Sequence, residues 1–307
     1  MMRDIVQELS LYARGRDPKF IVLAHPGFDL LYWSQREYDL EDAKRDPTKV
    51  VPPETIRPVG MPMRRYIQGL DGFVLDGQFC SPLRVPRADL AEARDEGLKA
   101  ASLDHCKSDA AVAAALQAGA DAKIITFADT ADDNEYRSVP QRRPIPENPA
   151  NVETLNAARN MLPVFSTKSF ASRDAWLSAL KNNNYDIVVI DAFDRTDQPL
   201  TKAELHELKF KQMGARRLVL ARMDIGHADD SRYYFQRDWQ VGAPSWIVGL
   251  GSDHLGQYDI EFWNPAWKAV IGKYFAGIMD LGFDGVMLDG VDAYRRWEAR
   301  TPLTLEK

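Results

Sequence analysis

The chain has 307 residues, of which 45% are hydrophobic and 27% charged, as is usual for a globular protein. Its net charge of −6 argues against nucleic acid as the main partner, and no apolar run approaches the ~20 residues of a membrane-spanning helix. The first residues have helical spacing instead of a signal peptide's apolar core, which predicts a cytoplasmic protein for the chain as written. Cys80 and Cys106 lack metal-type spacing and exclude a disulfide framework.

The first half of the chain contains four short apolar segments that predict buried strands. They span residues 20–24, 72–75, 99–103 and 122–127. Helical spacing separates the later ones, and an alanine-rich helix at residues 110–117 is predicted to stop at Gly119. Residues 34–65 are rich in charge and proline, which predicts a partly helical insert or a lid.

A segment rich in proline separates the first half of the chain from the second. Residues 130–160 carry several prolines and almost no apolar pattern, which predicts a connecting segment. Four more strands are predicted beyond it, at residues 186–190, 217–223, 258–263 and 285–288. A helix beginning at Lys202 is predicted from Thr201 as N-cap and Glu204 three residues later.

Eight strands that mostly alternate with helices predict an α/β protein with a parallel sheet, and eight is the number that closes a (β/α)8 TIM-type barrel. The predicted organisation is a single domain over residues 1–307, with four βα units in 1–129 and four in 161–307. An open doubly wound sheet is the competing architecture. It would normally carry a glycine-rich phosphate loop after the first strand, where this chain has the single Gly27.

Polar residues cluster where the predicted strands end, and in a barrel all these ends meet on the face that holds active sites. The cluster comprises His25, Asp76, Asp104, His105, Asp129, Asp191, Asp224, His227 and Asp289. Asp289 ends the last strand, and Asp292 follows it on the same loop. Carboxylates placed in this way suit acid/base or nucleophilic chemistry, although Asp289 could also cap the following helix.

Four segments of the second half resemble the endo-α-1,4-polygalactosaminidase family of glycoside hydrolases, whose barrel proteins have sometimes been mislabelled as cysteinyl-tRNA synthetases. They are Asp186–Asp191, Gly226–Arg232, Phe262–Trp267 and Gly282–Tyr294. Segments of the first half, such as Tyr12–Leu31 and Gly72–Phe79, resemble later strands of the same family. This order predicts a circularly permuted barrel, because cuts at exposed loops are tolerated. Members of the family are often secreted, which leaves an extracellular location as the alternative.

The resemblance also implies roles for individual residues. Asp289 matches the first aspartate of the family's Leu-Asp-x-x-Asp motif, and Asp76 occupies the place of the family's second catalytic acid, which is a glutamate there. These two are the predicted catalytic residues for cleaving an amino-sugar polysaccharide. Substrate contacts are predicted for Asp191, His227, Asp229, Arg232, Asp292, His25, Asp104 and Trp263. The implied partner is a polysaccharide or oligosaccharide, with no cofactor and no metal.

Other functions remain open at this point. The shorter Asp76 side chain and the pair His25-Pro26, where the family has amides, also fit a catalytically inactive barrel that binds a carbohydrate or a partner. A metal-dependent hydrolase would need His25, His105 and His227 with nearby aspartates, but no close histidine pair supports it. A tRNA synthetase lacks support because the chain has no nucleotide-binding signature. For Trp263, packing in the core competes with stacking on a sugar ring.

Overall fold

The computed structural model describes residues 1–45, 48, 52, 56–82, 84–131, 136–194, 196–252 and 255–301. Eight parallel strands form a nearly closed barrel with helices outside it, which confirms the predicted α/β fold of the TIM type. The barrel strands are β1 (Ile21–Ala24), β2 (Gly72–Asp76), β3 (Lys99–His105), β4 (Ile125–Asp129), β5 (Met161–Val164), β6 (Ile187–Ile190), β7 (Leu218–Asp224) and β11 (Gly285–Asp289). Most of their residues are buried, as expected for parallel strands covered on both faces.

Helices lie outside the barrel, between the strands and at both ends of the chain. They are α1 (Met2–Arg16), α2 (Gln35–Ala43), α3 (Arg64–Ile67), α4 (Arg87–Asp95), α5 (Asp109–Ala122), α6 (Arg173–Lys181), α7 (Lys202–Leu208), α8 (Pro265–Leu281) and α9 (Tyr294–Arg300). The predicted start of α7 is confirmed, because Thr201 and Glu204 form a capping box. The prediction that Gly119 stops α5 is wrong, since this helix continues through it to Ala122. No helix in the described part of the chain has the length and apolar character needed to cross a membrane.

The strand order brings the two ends of the chain together. Going round the barrel, the order is β5, β6, β7, β11, β1, β2, β3 and β4. The last strand therefore lies beside the first, with Ile21 paired to Gly285 and Ala24 to Leu288. A single bridge between Thr126 and Asn160 links β4 to the residue before β5 and closes the circle. The carboxyl ends of β11, β1 and β2, which carry Asp289, His25 and Asp76, consequently lie next to one another.

One barrel strand differs from the sequence prediction. The barrel contains β5, which the sequence pattern left unassigned, because Pro163 lies within it and proline is rare inside a sheet. The strand borders the β4–β5 seam, where the missing N–H is easier to accommodate. The predicted strand at 258–263 is wrong as a barrel strand. That region forms β10 (Gln257–Ile260) of a separate antiparallel sheet, between β8 (His227–Asp229) and β9 (Ile247–Leu250).

The small antiparallel sheet belongs to the long connection between β7 and α8. Aromatic rings in this connection pack against α8 and against one another, with Tyr234 against Trp267 and Trp246 against both Trp239 and Trp267. The other predicted insert, residues 34–65, contains α2, which begins with a capping box at Ser34 and confirms a partly helical segment. Residues 46–47, 49–51 and 53–55 of that insert lie outside the described residues, so closure over the site stays a prediction.

The proline-rich connecting segment is bound to the barrel by a buried polar cluster. The ammonium of Lys211, which is fully buried, donates to the carboxylate of Asp186 at 2.6 Å and to the carbonyls of Asn148 and Ala150 at 2.7 and 3.0 Å. Asp186 also accepts from the Arg159 amide at 2.8 Å. Because every strong donor in this cluster has an acceptor, it can remain dry without an unpaired charge. The part of the segment from Asn148 to Arg159 is therefore fixed to the barrel.

A disulfide joins the loop after β2 to the end of β3. Cys80 and Cys106 are paired across 26 residues, although their spacing predicts no such bridge. They meet because β2 and β3 are parallel neighbours, so the residues just beyond both strands lie at the same end of the barrel. The buried Asp104 carboxylate supports the same loop, since it accepts the backbone amides of Gln78, Phe79 and Cys80 at 3.0, 2.7 and 2.7 Å.

Removing this bridge is expected to lower stability measurably. In the Cys80→Ser/Cys106→Ser double variant, the unfolded chain regains the freedom of a loop of about 27 residues. The loop-entropy relation gives a loss of about 3.5 kcal/mol for that length. Urea unfolding monitored by circular dichroism would measure it, with the reduced wild type as the comparison. A double variant as stable as the oxidised wild type would contradict the expectation.

Candidate active site

The predicted active face is a concave, strongly polar mouth at the carboxyl ends of the strands. A cavity of about 700 Å³ opens there. Eight of the ten predicted site residues line it: His25, Asp76, Asp191, His227, Asp229, Arg232, Asp289 and Asp292. They come from strand ends and loops in both halves of the chain, as expected when all eight strands point their carboxyl ends in one direction.

His25 connects the two predicted catalytic carboxylates. Its ring is buried between them, with Nδ1 2.9 Å from Oδ1 of Asp289 and Nε2 2.7 Å from Oδ1 of Asp76. Burial alone would lower the pKa of this imidazole, but the two carboxylates outweigh it and raise the pKa to about 10. At neutral pH the ring is therefore an imidazolium that donates a hydrogen bond to each carboxylate.

Asp289 is the most tightly held group of the site. Its carboxylate accepts from Arg222 at 2.5 Å, from His25, and from the Gly290 amide at 3.0 Å. Burial raises the pKa of this carboxyl, but the charges of Arg222 and His25 outweigh burial and hold it well below its ordinary value. Arg222 in turn lies over the ring of Phe165, 4.7 Å from its centroid. Asp289 is therefore an ionised carboxylate in a fixed orientation.

Two glycines allow the loops behind Asp289 to approach closely. Gly290 has φ of 67°, a left-handed conformation, and a Cβ there would collide with the Asp224 carboxylate. A Cβ on Gly226 would collide with the Gly290 carbonyl. Because the loops approach so closely, the carboxylate of Asp224 can accept hydrogen bonds from the amides of Gly226 and His227 at 2.8 and 2.9 Å. The loop that carries His227 is thereby held beside Asp289.

The bridge through His25 has a testable consequence for stability. A pKa of about 10 in the folded protein, against 6.5 for an unperturbed histidine, means that the bridge stabilises fully below pH 6.5 and loses its effect as the pH rises towards 10. The stability advantage of wild type over His25→Gln should therefore shrink between pH 6.5 and 10. Urea unfolding at several pH values measures it. A His206→Gln variant, changed at an exposed histidine, serves as control, and a constant advantage of wild type over His25→Gln would refute the bridge.

A second polar group lies across the cavity from Asp76. Arg232 forms an ion pair with Asp191, whose carboxylate also accepts the Phe193 amide at 3.1 Å. Asp229 accepts the amide and hydroxyl of Ser231 at 2.8 and 2.6 Å. These contacts hold the side chains in place while leaving them on the cavity wall, where hydroxyl or amino groups of a ligand could reach them.

Two predicted substrate contacts are not part of the cavity wall. Asp104 has an exposed fraction of 0% and holds the loop after β2 through its hydrogen bonds, so no part of it can reach a ligand. Trp263 packs edge-on against Phe262 and Trp297, with ring centroids 4.9 and 4.6 Å apart. The sequence could not show that these two side chains lie off the cavity wall, since the short-range pattern cannot tell a side chain that faces the mouth from one that supports it.

Several cavity residues were absent from the predicted site. Arg222 is the most important, and its signal in the sequence is a charged residue inside an otherwise apolar strand, on the same face as Asp224. Tyr136 also lines the cavity, and its hydroxyl lies 3.1 Å from Nε2 of His105, whose Nδ1 is 3.2 Å from Asp129. No sequence signal identifies Tyr136, because it lies in the segment without apolar pattern.

No metal centre is apparent in the described ranges, where no group of three or more histidines, cysteines, aspartates or glutamates is arranged to hold an ion. His25 and His105 instead make hydrogen bonds to carboxylates, Asp76 and Asp289 for the first and Asp129 for the second.

One protein-family profile matches the second half of the chain. Residues 166–307 match the sequence profile of glycoside-hydrolase family GH114. This stretch is just under half of the chain and contains Asp191, Arg222, Arg232 and Asp289. The first-half residues His25 and Asp76 lie outside it.

Curated relatives match over a similar length. An uncharacterised protein of Deinococcus radiodurans is 34% identical over 124 residues, which are 40% of this chain and 39% of that protein. An uncharacterised protein of Methanocaldococcus jannaschii is 30% identical over 150 residues, or 48% and 42% of the two chains. The chain thus spans less than half the length of these relatives. Among solved structures, the glycoside hydrolase domain of PelA from Pseudomonas aeruginosa matches with 20% identity and a TM-score of 0.30, over 43% of this chain and 46% of that one.

Proposed function

We propose that this protein hydrolyses glycosidic bonds in a polysaccharide that contains amino sugars, in the manner of an endo-α-1,4-polygalactosaminidase. The observation that carries the proposal is the contact of one imidazole, His25, with both Asp289 and Asp76. Through this contact both carboxylates lie at the wall of the same open cavity. Glycoside hydrolysis generally uses such a pair of carboxyl groups on either side of the bond to be cleaved. The profile match of residues 166–307 supports the same chemistry.

Asp289 is the ionised member of the pair in this proposal. It serves as nucleophile or as electrostatic stabiliser of the oxocarbenium-like transition state, because Arg222 and His25 keep it charged and fixed. Asp76, whose side chain is 61% exposed, is the second carboxylate of the pair and occupies the place of the family's second catalytic acid. Asp191, Asp229 and Arg232 are proposed to hold hydroxyl or amino groups of the sugar.

The charge of the cavity supports an amino sugar as substrate. The described residues that line it include nine aspartates against three arginines and one lysine: Asp76, Asp191, Asp194, Asp197, Asp224, Asp229, Asp230, Asp289 and Asp292, with Arg137, Lys168, Arg222 and Arg232. Even with His25 protonated, acidic groups are in excess. A protonated amine on the sugar would lower the electrostatic cost of this excess, whereas a uronic acid would add to it.

Two further features belong to the proposal. Circular permutation relative to the family is proposed from the order of the resembling segments, and the pairing of the first strand with the last permits it because it brings the two chain ends together. An oxidising, extracellular location is supported by the Cys80–Cys106 disulfide, because such bridges persist mainly outside the reducing cytosol, and this argues against the cytoplasmic prediction.

A substrate screen tests the proposed function. The purified protein would be incubated with partly deacetylated galactosaminoglycan, chitosan, a uronic acid polymer and a neutral glucan, and new reducing ends would be measured. Release is expected from the amino-sugar polymers and not from the uronic acid polymer. Equal release from the neutral glucan would contradict the assignment of an amino-sugar substrate, and release from none would contradict hydrolysis.

A further inference from the structure

We propose that Asp292, and not Asp76, carries the proton that is delivered to the leaving group. The inference rests on the proposed glycoside hydrolysis and assigns a further catalytic residue to that site. It starts from the hydrogen bonds around each carboxyl group of the cavity. A carboxyl group stays protonated near neutral pH when it is removed from water and lacks donors that favour its charged form.

Three of the nine cavity carboxyl groups, those at or just after the ends of β2 and β11, differ in these respects. Asp289 has Arg222, His25 and Gly290 as hydrogen-bond donors. Asp76 accepts from the imidazolium of His25 and its side chain is 61% exposed to water. Asp292 lines the same cavity, and among the described residues its carboxyl group receives no hydrogen bond. It is also partly buried, beside the buried Val291 and Ala293. Of these three, only Asp292 therefore combines burial with the absence of a donor.

On balance, burial and the charges that face Asp292 also favour the protonated form of its carboxyl group. Burial raises the pKa of its carboxyl group, the Arg295 guanidinium lowers it in part, the negative charges of Asp76 and Asp289 raise it, and His227 lowers it. The net result is a pKa above the ordinary value. Asp289, three residues earlier, is shifted the other way. Two carboxyl groups whose surroundings push their pKa values apart are the usual arrangement of a proton donor and an ionised partner.

The chemistry balances with these roles. As the bond between C1 and the glycosidic oxygen breaks, the proton of Asp292 passes to that oxygen and the alcohol leaves. Asp289 bonds to C1 or stabilises its positive charge. One water then supplies a hydroxyl to C1, and its remaining proton restores Asp292 to its acid form. Asp76, oriented by His25, is left to position the sugar or the water.

Leaving-group dependence tests this assignment. Asp292→Asn is expected to lower kcat/KM on an oligosaccharide about 10²- to 10⁴-fold, the usual contribution of a general acid. On a dinitrophenyl glycoside of the same sugar, whose leaving group needs little protonation, the loss should stay below about tenfold. The basic limb of the pH profile should also disappear. Asp76→Asn should keep the basic limb and lose similar activity on both substrates. The reverse result, with leaving-group dependence in Asp76→Asn only, would overturn the proposal.

A measurement without substrate separates this inference from the proposed function. In protein labelled with ¹³C at aspartate carboxyl groups, the signal that disappears in Asp292→Asn is expected to titrate above the ordinary carboxyl pKa of 3.8. Asp95→Asn, which removes an exposed carboxyl on α4, identifies signals that shift only through lost charge. A protein without hydrolytic activity but with this titration would refute the proposed function alone. Titration of the Asp292 signal at or below the ordinary value would overturn the inference whatever the activity.

Discussion

Asp289→Asn is expected to lower kcat on an amino-sugar oligosaccharide by about 10³-fold or more, the loss seen when an enzyme's central catalytic group is removed. Asparagine fits the same space but has no charge with which to attack or stabilise C1. Asp289→Glu keeps the charge and moves the carboxylate by about one carbon–carbon bond, so a loss of roughly 10²-fold is expected there. Initial rates of reducing-end release at saturating substrate would measure both.

The control for this experiment must remove a negative charge from the same cavity. Asp197 lines it, is exposed, and has φ of 58°, a conformation that asparagine adopts readily. Asp197→Asn should therefore keep kcat within about tenfold of wild type, since its carboxylate has no role in the proposed chemistry. Circular dichroism would verify folding, because Asp289→Asn leaves Arg222 and His25 without their carboxylate. Full activity in folded Asp289→Asn would exclude its proposed role.

Lys211→Met is expected to produce the largest loss of stability, about 3–5 kcal/mol. The substitution leaves the Asp186 carboxylate buried without its counter-ion and the carbonyls of Asn148 and Ala150 without a donor. Urea unfolding would measure the change in free energy, and the proline-rich segment should become sensitive to limited proteolysis.

The matched control is Lys181→Met. Lys181 pairs with Glu207 at the same 2.6 Å, but both side chains are largely exposed. Exposed ion pairs contribute at most about 1 kcal/mol, because water solvates both charges when the pair is broken. Equal losses in the two variants would show that burial does not decide the strength of the Lys211–Asp186 pair.

The barrel could be predicted because its strands are short apolar runs that end in polar residues, and this local pattern is preserved in the fold. The error at residues 258–263 has a tertiary cause, since β10 pairs only within the small antiparallel sheet. The strand β5 was missed because proline has a low strand propensity. Pro163 is accommodated because β5 borders the β4–β5 seam, where an isolated bridge takes the place of a full ladder. The Cys80–Cys106 bridge likewise depends on strand adjacency.

For the candidate site, the sequence predicted the positions of several residues but not the interactions between them. Residues at strand ends, such as Asp289 and His25, could be identified because the barrel dictates where strand ends point. Their interactions could not, because the position of His25 between two carboxylates depends on three strands meeting in register. Asp104 also ends a strand, yet it faces the loop amides instead of the cavity. Whether a side chain at a strand end faces the cavity therefore depends on how all the strands and loops assemble, which a local sequence pattern does not show.

Hydrolysis in ¹⁸O-labelled water, read by mass spectrometry, tests most directly that this mouth cleaves glycosidic bonds. Galactosamine oligosaccharides of defined length would be incubated with the protein and with Asp289→Asn. Shorter products that carry one ¹⁸O at each new reducing end are predicted for the wild type, and intact starting material for the variant. Oligosaccharides that bind to the wild-type protein, as measured by calorimetry, but are recovered at full length would contradict hydrolysis and indicate a carbohydrate-binding barrel.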